Sequence, residues 1–182
     1  YSMTEKVGNV TLDLTYYPGE DFYSDGTVED DLLAIVKEHT PQEFPEIIEE
    51  KKNWPVFYHL SPFRTNIIDW IPLKKTDKVL EIGSGCGAIT GTLAQKAGSV
   101  TCIELSKKRS LVNAYRNQDK ENITIMVGNF QDIASCGNNT IRQQGGKVFY
   151  RLFVASESRN KVKMHKNYFI VLLTLFYIRC QA

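Results

Sequence analysis

The chain of 182 residues lacks any cysteine or histidine grouping at metal-ligand spacing. Cys86, Cys102, Cys136 and Cys180 lie far apart, form no CxxC pair and do not cluster with the three histidines. That speaks against a zinc site, and dispersed cysteines fit a reducing, cytoplasmic setting. A long hydrophobic run is also missing. The longest, Tyr168 to Ile178 with Thr174 inside it, has 11 residues, whereas a spanning helix needs roughly 20; no membrane span is expected. There is no net charge of note either: +1 overall gives no global argument for nucleic acid or a membrane surface. Internal repeats are absent. The chain opens on Tyr1, so an internal fragment or a removed targeting segment stays open. What remains is the composition of a soluble globular protein with one core, 42% hydrophobic and 24% charged.

Acidic residues become scarce abruptly. Residues 1–133 carry 14 Lys and Arg against 20 Asp and Glu, a net of −6, whereas residues 134–182 carry eight basic residues and one acid, Glu157, a net of +7. The two parts differ in rhythm as well. Residues 10–17 (VTLDLTYY) alternate as a short strand does, and PGEDFYSDG reads as a loop. Thr27 is placed to cap a helix with Glu29, Asp30 and Asp31 in its first turn, Leu32, Ile35, Val36 and His39 along one face, and Pro41 as its stop. A second short helix or irregular link leads to LSPFRTNIIDWIP. There Ser61 caps, Pro62 opens the helix, and Phe63, Ile67, Trp70 and Ile71 line one face.

From Asp77 strand and helix alternate: a buried strand DKVLEIG, a helix over 87–97, a strand SVTCIE, a helix capped by Ser106 to about Gln118, and a strand NITIMV. Helices of this length between strands imply right-handed crossovers and a parallel sheet. After Asp132 the signals fade. ASCGNNTIRQQGG is loop-like, KVFYRLFVA reads as a strand, and the last apolar run reads as strand or buried helix.

The segment VLEIGSGCGAIT, residues 79–90, carries the chemistry. A strand, glycines and then a helix put unpaired backbone N–H groups at the carboxyl edge of a parallel sheet, where open α/β sheets bind ligands. Gly83 and Gly85 leave room for a ligand against the main chain, and Gly87 allows close helix packing. The spacing Gly83-x-Gly85-x-x-Ala88 also fits a dinucleotide fingerprint, so spacing alone leaves two cofactor classes open. Glu81 completes E-x-G-x-G-x-G, and Glu104 ends the second strand 21 residues after Gly83, where a carboxylate can accept both hydroxyls of a ribose.

This combination resembles the class I S-adenosylmethionine-dependent methyltransferases over about residues 57–133. The resemblance implies an α/β, Rossmann-like parallel sheet flanked by helices, with residues 1–56 as an N-terminal α/β extension. It implies a cofactor site of Glu81, Gly83, Ser84, Gly85, Cys86 and Gly87 for the methionine part of S-adenosyl-L-methionine. Glu104 and Leu105 would serve the ribose and purine, and Asn129 and Phe130 would stand where the family places an acid and a bulky residue near adenine. Tyr58, His59 and Arg64 occupy the place of a helix that closes over the cofactor. No metal is implied, and no catalytic residue is assigned. The acceptor expected first is a small molecule or bacterial surface glycan.

The glycine segment is also very similar to that of ribosomal RNA adenine dimethyltransferases. Against RNA stand the acidic residues 1–133 and the absence of a [DN]-PP-[YFW] run, the family's signature for methylating exocyclic amino groups. A nicotinamide-binding domain and an inactive cofactor-binding remnant are the other readings. A complete sheet of this family needs about 100 residues after the third strand, but 49 follow Ile133. Residues 134–182 are therefore expected to be an atypical, truncated or frameshifted remainder, and the C-terminal half of the sheet incomplete. The plainer expectations are a small loop residue at Cys86, a solvated face for Lys107, Lys108 and Arg109, and core positions for Trp54 and Trp70.

Overall fold

A computed structural model describes residues 3–21, 26–135 and 169–172, the last four as backbone. Strands β1 (Thr4–Val7) and β2 (Val10–Tyr16) form a hairpin. Helices α1 (Thr27–Glu38), α2 (Phe44–Lys51) and α3 (Trp54–Leu60), a 3-10 turn (Pro62–Thr65) and the single turn α4 (Asn66–Asp69) follow. Then come β3 (Lys78–Ile82), α5 (Thr90–Lys96), β4 (Ser99–Glu104), α6 (Lys107–Arg116), β5 (Ile123–Gly128), α7 (Phe130–Ser135) and β6 (Phe169–Leu172). The sheet order is β1-β2-β5-β4-β3-β6. All neighbours run parallel except β1 and β2. This is the α/β, Rossmann-like arrangement expected.

The strand faces alternate as a pleat requires. Val79, Val100, Cys102, Ile123, Ile125 and Val127 point to one side, into a cluster with Ile89 and Leu93 near and in α5, Ala114 of α6, and Val10, Leu12 and Leu14 of β2. Leu80, Ile103 and Met126 point to the other side, against Ile133 of α7. A further layer lies outside α6, where Leu32, Ile35, Val36, Phe44, Ile47, Val56 and Leu60 of α1–α3 enclose Val112 and Cys86. The chain advances from β3 through β4 to β5, and β6 lies on the other side of β3. The loop after β3 thus opens at the point where strand order reverses, the binding crevice of such sheets.

Three expected details differ. Gly26, at φ +74°, occupies the N-cap position of α1, and Thr27 is already helical. The helix expected over 87–97 starts at Thr90, because Gly85 and Gly87 adopt positive φ and keep the preceding residues in turns. Ser61 caps as expected, accepting from the Phe63 N–H at 3.3 Å, yet the continuous helix to Ile71 is broken into the 3-10 turn and α4. A 3-10 turn has about three residues per turn, so the face read at helical spacing rotates outward. Phe63, Ile67 and Trp70 are exposed and Ile68 is buried instead. The expectations for Cys136, Cys180, KVFYRLFVA and nearly all of the basic tail lie outside the described residues.

Candidate functional site

Glu81 stands at the end of β3 with its carboxylate completely buried. Its Oε2 accepts from Thr90 Oγ1 at 2.7 Å and from Cys102 Sγ at 3.4 Å, while Oε1 has no hydrogen-bond partner. Burial is the main reason that this carboxyl is pushed up to about 7; the two donors oppose the shift. Behind Thr90 a buried polar chain continues. Asn113 Nδ2 donates to Thr90 Oγ1 at 3.1 Å, and Asn117 Nδ2 donates to Asn113 Oδ1 at 2.8 Å. These residues were not read from the sequence. A usable signal was there: Asn113 of α6 and Asn117 at its C-cap, four apart, match Gly87 and Gly91, four apart beside them. A Cβ on Gly87 would lie 2.2 Å from Asn113 Oδ1, and one on Gly91 would lie 2.4 Å from Asn117 Oδ1.

The glycine loop is held from the next strand. Gly83 N–H donates to Ile103 O at 2.8 Å, and Gly85 N–H donates to Glu104 Oε2 at 2.8 Å. Ser106 N–H donates to Glu104 Oε1 at 3.1 Å, so one carboxylate joins the loop after β3 to the start of α6. Each of its oxygens retains a second acceptor site. Gly85, at φ +53°, faces open space where its Cβ would be. Ser84 Oγ is buried without a partner. Cys86 is buried and its thiol is pushed up to about 12 by burial, which leaves it an inert wall residue.

A cleft of about 330 Å³ opens beside this loop, lined by Gly83, Glu104, Leu105, Arg109, Asn129 and Phe130 among others. Leu105 is exposed and Phe130 half-buried, giving the cleft apolar walls next to the Glu104 carboxylate. Asn129 uses its carbonyl oxygen to cap α7, accepting from the Gln131 N–H at 2.8 Å. The structure therefore brings Gly83, Glu104, Leu105, Asn129 and Phe130 to one cavity. Glu81 lies in β3, and Ser84, Gly85, Cys86 and Gly87 form the adjoining loop.

The basic triplet at the start of α6 is not a uniformly solvated face. Arg109 is buried, with Nε 2.5 Å from Glu29 Oε1, which is also buried. Lys108 Nζ lies 2.8 Å from Asp30 Oδ1. Asp21 accepts from the Lys107 and Lys108 backbone N–H groups at 2.6 and 3.0 Å, an acid at the helix end where the dipole favours one. Upstream, Arg64 lies over the Tyr58 ring at 4.6 Å, and Arg116 Nη1 donates to the His59 carbonyl at 2.7 Å. Among the described residues no group of three or more potential metal ligands occurs, and no helix is long and apolar enough to cross a membrane.

The chain is similar to ribosomal RNA small subunit methyltransferase A of Fusobacterium nucleatum, 30% identical over 105 residues, covering 56% of this chain and 38% of that protein. It is similar to a "Probable ribosomal RNA small subunit methyltransferase A" of Methanothermobacter thermautotrophicus, 36% identical over 94 residues, covering 49% of this chain and 34% of the relative. The chain thus spans about a third of the length of these relatives. Among solved structures it is similar to phosphoethanolamine N-methyltransferase 1 of Haemonchus contortus, with a TM-score of 0.38, 19% identity, and coverage of 59% of this chain and 22% of that one. Residues 62–172, more than half of the chain, match the ribosomal RNA adenine dimethylase family. The chain therefore belongs to that family, within the class I S-adenosylmethionine-dependent methyltransferases.

Proposed function

We propose that this chain holds S-adenosylmethionine for methyl transfer to the exocyclic amino group of an adenine in RNA. The observation that carries the reading is the family match over residues 62–172, joined to a cradle whose orphaned polar atoms suit the cofactor. The two similar proteins are named as ribosomal RNA methyltransferases, which favours RNA over the small-molecule or glycan acceptor expected first from the sequence. Residues 57–133 are proposed as the cofactor-holding core, with 1–56 as the extension before it.

The residues fit the cofactor at three points. Glu81 Oε1 and Ser84 Oγ, buried and unpartnered, suit the ammonium and carboxylate of the methionine part. Glu104 suits the ribose hydroxyls, and Leu105 with Phe130 suits the adenine ring. When bound, the cofactor supplies an electrophilic methyl on a sulfonium. The protein's part is to fix the glycine loop through Glu104, exclude water with the apolar walls, and align the acceptor in line with that methyl. Positive φ at Gly83 and Gly85 turns the loop sharply after β3, and the open space at Gly85 leaves room for the ligand without a side chain in the way.

The test is transfer of radiolabelled methyl from S-adenosylmethionine to separate pools of small-subunit RNA, glycans and small molecules. The expected outcome is label in methylated adenine after nucleoside digestion, together with S-adenosylhomocysteine binding and no NAD(H) binding. Label in the glycan or small-molecule pool alone would overturn the RNA acceptor. Cofactor binding without any transfer would leave a binding remnant.

A further inference from the structure

Exposed apolar side chains are concentrated in one short segment. Of the seven large ones among the described residues, five lie within residues 54–70: Trp54, Phe57, Phe63, Ile67 and Trp70. Trp54 is 70% exposed, Phe63 71% and Trp70 62%. Apolar side chains exposed together in this way are the kind of surface that interaction sites use. The rings of α3 are ordered relative to one another. Trp54 lies 5.6 Å from Phe57 and 6.2 Å from Tyr58, centroid to centroid, and Arg64 covers Tyr58. Trp70 Nε1 is fixed by donation to Ile67 O at 2.9 Å.

Charge changes sign at the same place. Residues 1–50 carry 13 acids and two lysines, whereas residues 51–75 carry Lys51, Lys52, Arg64, Lys74 and Lys75 against one acid, Asp69. Lys51, Lys52 and Lys74 are exposed. Lys75 Nζ is bonded to the Ala94 and Ala97 carbonyls; the exposed lysines flank the aromatic segment in sequence, and open rings with cations nearby are the chemistry that binds unpaired nucleotides, by base stacking and phosphate attraction. A protein partner would need the rings but not the cations. The segment also adjoins the site: Val56 and Leu60 pack with Cys86 of the glycine loop, and the Arg64 charge reaches the Glu81 carboxyl.

We infer that α3, the 3-10 turn and α4 form a stacking platform for single-stranded RNA beside the methyl-transfer site. This rests on the RNA-acceptor reading and says which surface receives the strand. The acidic balance of residues 1–133 then ceases to be an objection, because the acids are concentrated before residue 51.

The chain's only two tryptophans, Trp54 and Trp70, both lie in this segment, so intrinsic fluorescence reports on it directly. Oligo(A) added to the full chain is expected to quench tryptophan emission saturably, with affinity falling as salt rises. Trp54→Ala and Phe63→Ala are each expected to weaken oligo(A) binding about 5- to 150-fold, the loss of one stacked base. S-adenosylhomocysteine binding should stay unchanged in both variants, which shows that they fold. Saturable oligo(A) binding with unchanged emission and unaffected variants would overturn the platform while leaving the RNA acceptor standing. So would self-association abolished by Trp54→Ala and indifferent to oligo(A), which makes the face an interface between copies. Absence of any oligo(A) binding also overturns it, and the labelled-methyl assay then judges the acceptor separately.

Discussion

Glu81 is a carboxyl whose environment works against its own ionisation. Its value is raised from 4.5 to about 7, first by burial, against donors from Thr90 and Cys102. A raised acid favours the protonated folded state, so the benefit is complete below 4.5 and disappears as pH rises through 7. At about 1.4 kcal/mol per pKa unit the loss is on the order of 3 kcal/mol at most. Denaturant midpoints at pH 5 and pH 8 should differ for the native chain and nearly coincide for Glu81→Gln; an equal pH dependence in both assigns it to another group. Two glycines separate space from conformation. Gly85→Ala meets nothing within 4 Å and incurs only the left-handed backbone cost, about 1–2 kcal/mol. Gly87→Ala has that cost and also forces Asn113 away from 2.2 Å, so its stability should fall further, by thermal melting, than that of Gly85→Ala. Glu81, Glu104 and the glycines were legible because they sit at fixed offsets along one strand–turn–helix unit. Thr90, Asn113 and Asp21 were not, since their roles depend on elements separated by up to 87 positions that meet only in the fold.

Between elements, the joint of α1 and α6 is an ion pair with almost no access to water. Arg109 and Glu29 are 3% and 1% exposed, in the layer where α1 packs over α6. Removing one partner of such a pair leaves a buried charge and costs about 3–5 kcal/mol. Glu29→Ala is therefore expected to lower unfolding free energy by that amount in urea, and the double change Glu29→Leu with Arg109→Met should recover much of it. A Glu29→Ala loss below about 1 kcal/mol would mean that the Arg109 charge is compensated without Glu29. At this scale the sequence was informative where hydrophobic period and caps agreed. Leu32, Ile35 and Val36 face inward as their spacing requires, and Ser106 caps α6 by accepting from the Arg109 N–H at 3.2 Å. It misled where a local 3-10 turn changed the period, turning Phe63 and Trp70 outward. It misled also on Arg109, expected on a solvated face with Lys107 and Lys108 but buried where α1 packs over α6.

Over the whole molecule, the placement of the N-terminal hairpin decides what unfolds together. Alternation in residues 10–17 identified a strand, but nothing local could say that β2 lies parallel beside β5, with Leu12 opposite Ile125. Val10, Leu12 and Leu14 are buried in the same cluster as the inner residues of β3, β4 and β5. Burying three such side chains contributes about 1.5–3 kcal/mol each, which is comparable with the 5–15 kcal/mol that separates a typical native domain from its unfolded state. The hairpin also covers the backbone groups of β5, which would otherwise form an open sheet edge. Leu12→Ala is expected to cost about 2–5 kcal/mol. Native-state hydrogen exchange shows how that cost spreads. If the sheet unfolds as one unit, amides of Val100–Glu104 in β4 lose protection by the same free energy as those of β2. If only residues 4–16 lose protection, the hairpin is a separable addition, and the sheet of β3, β4 and β5 stands without it.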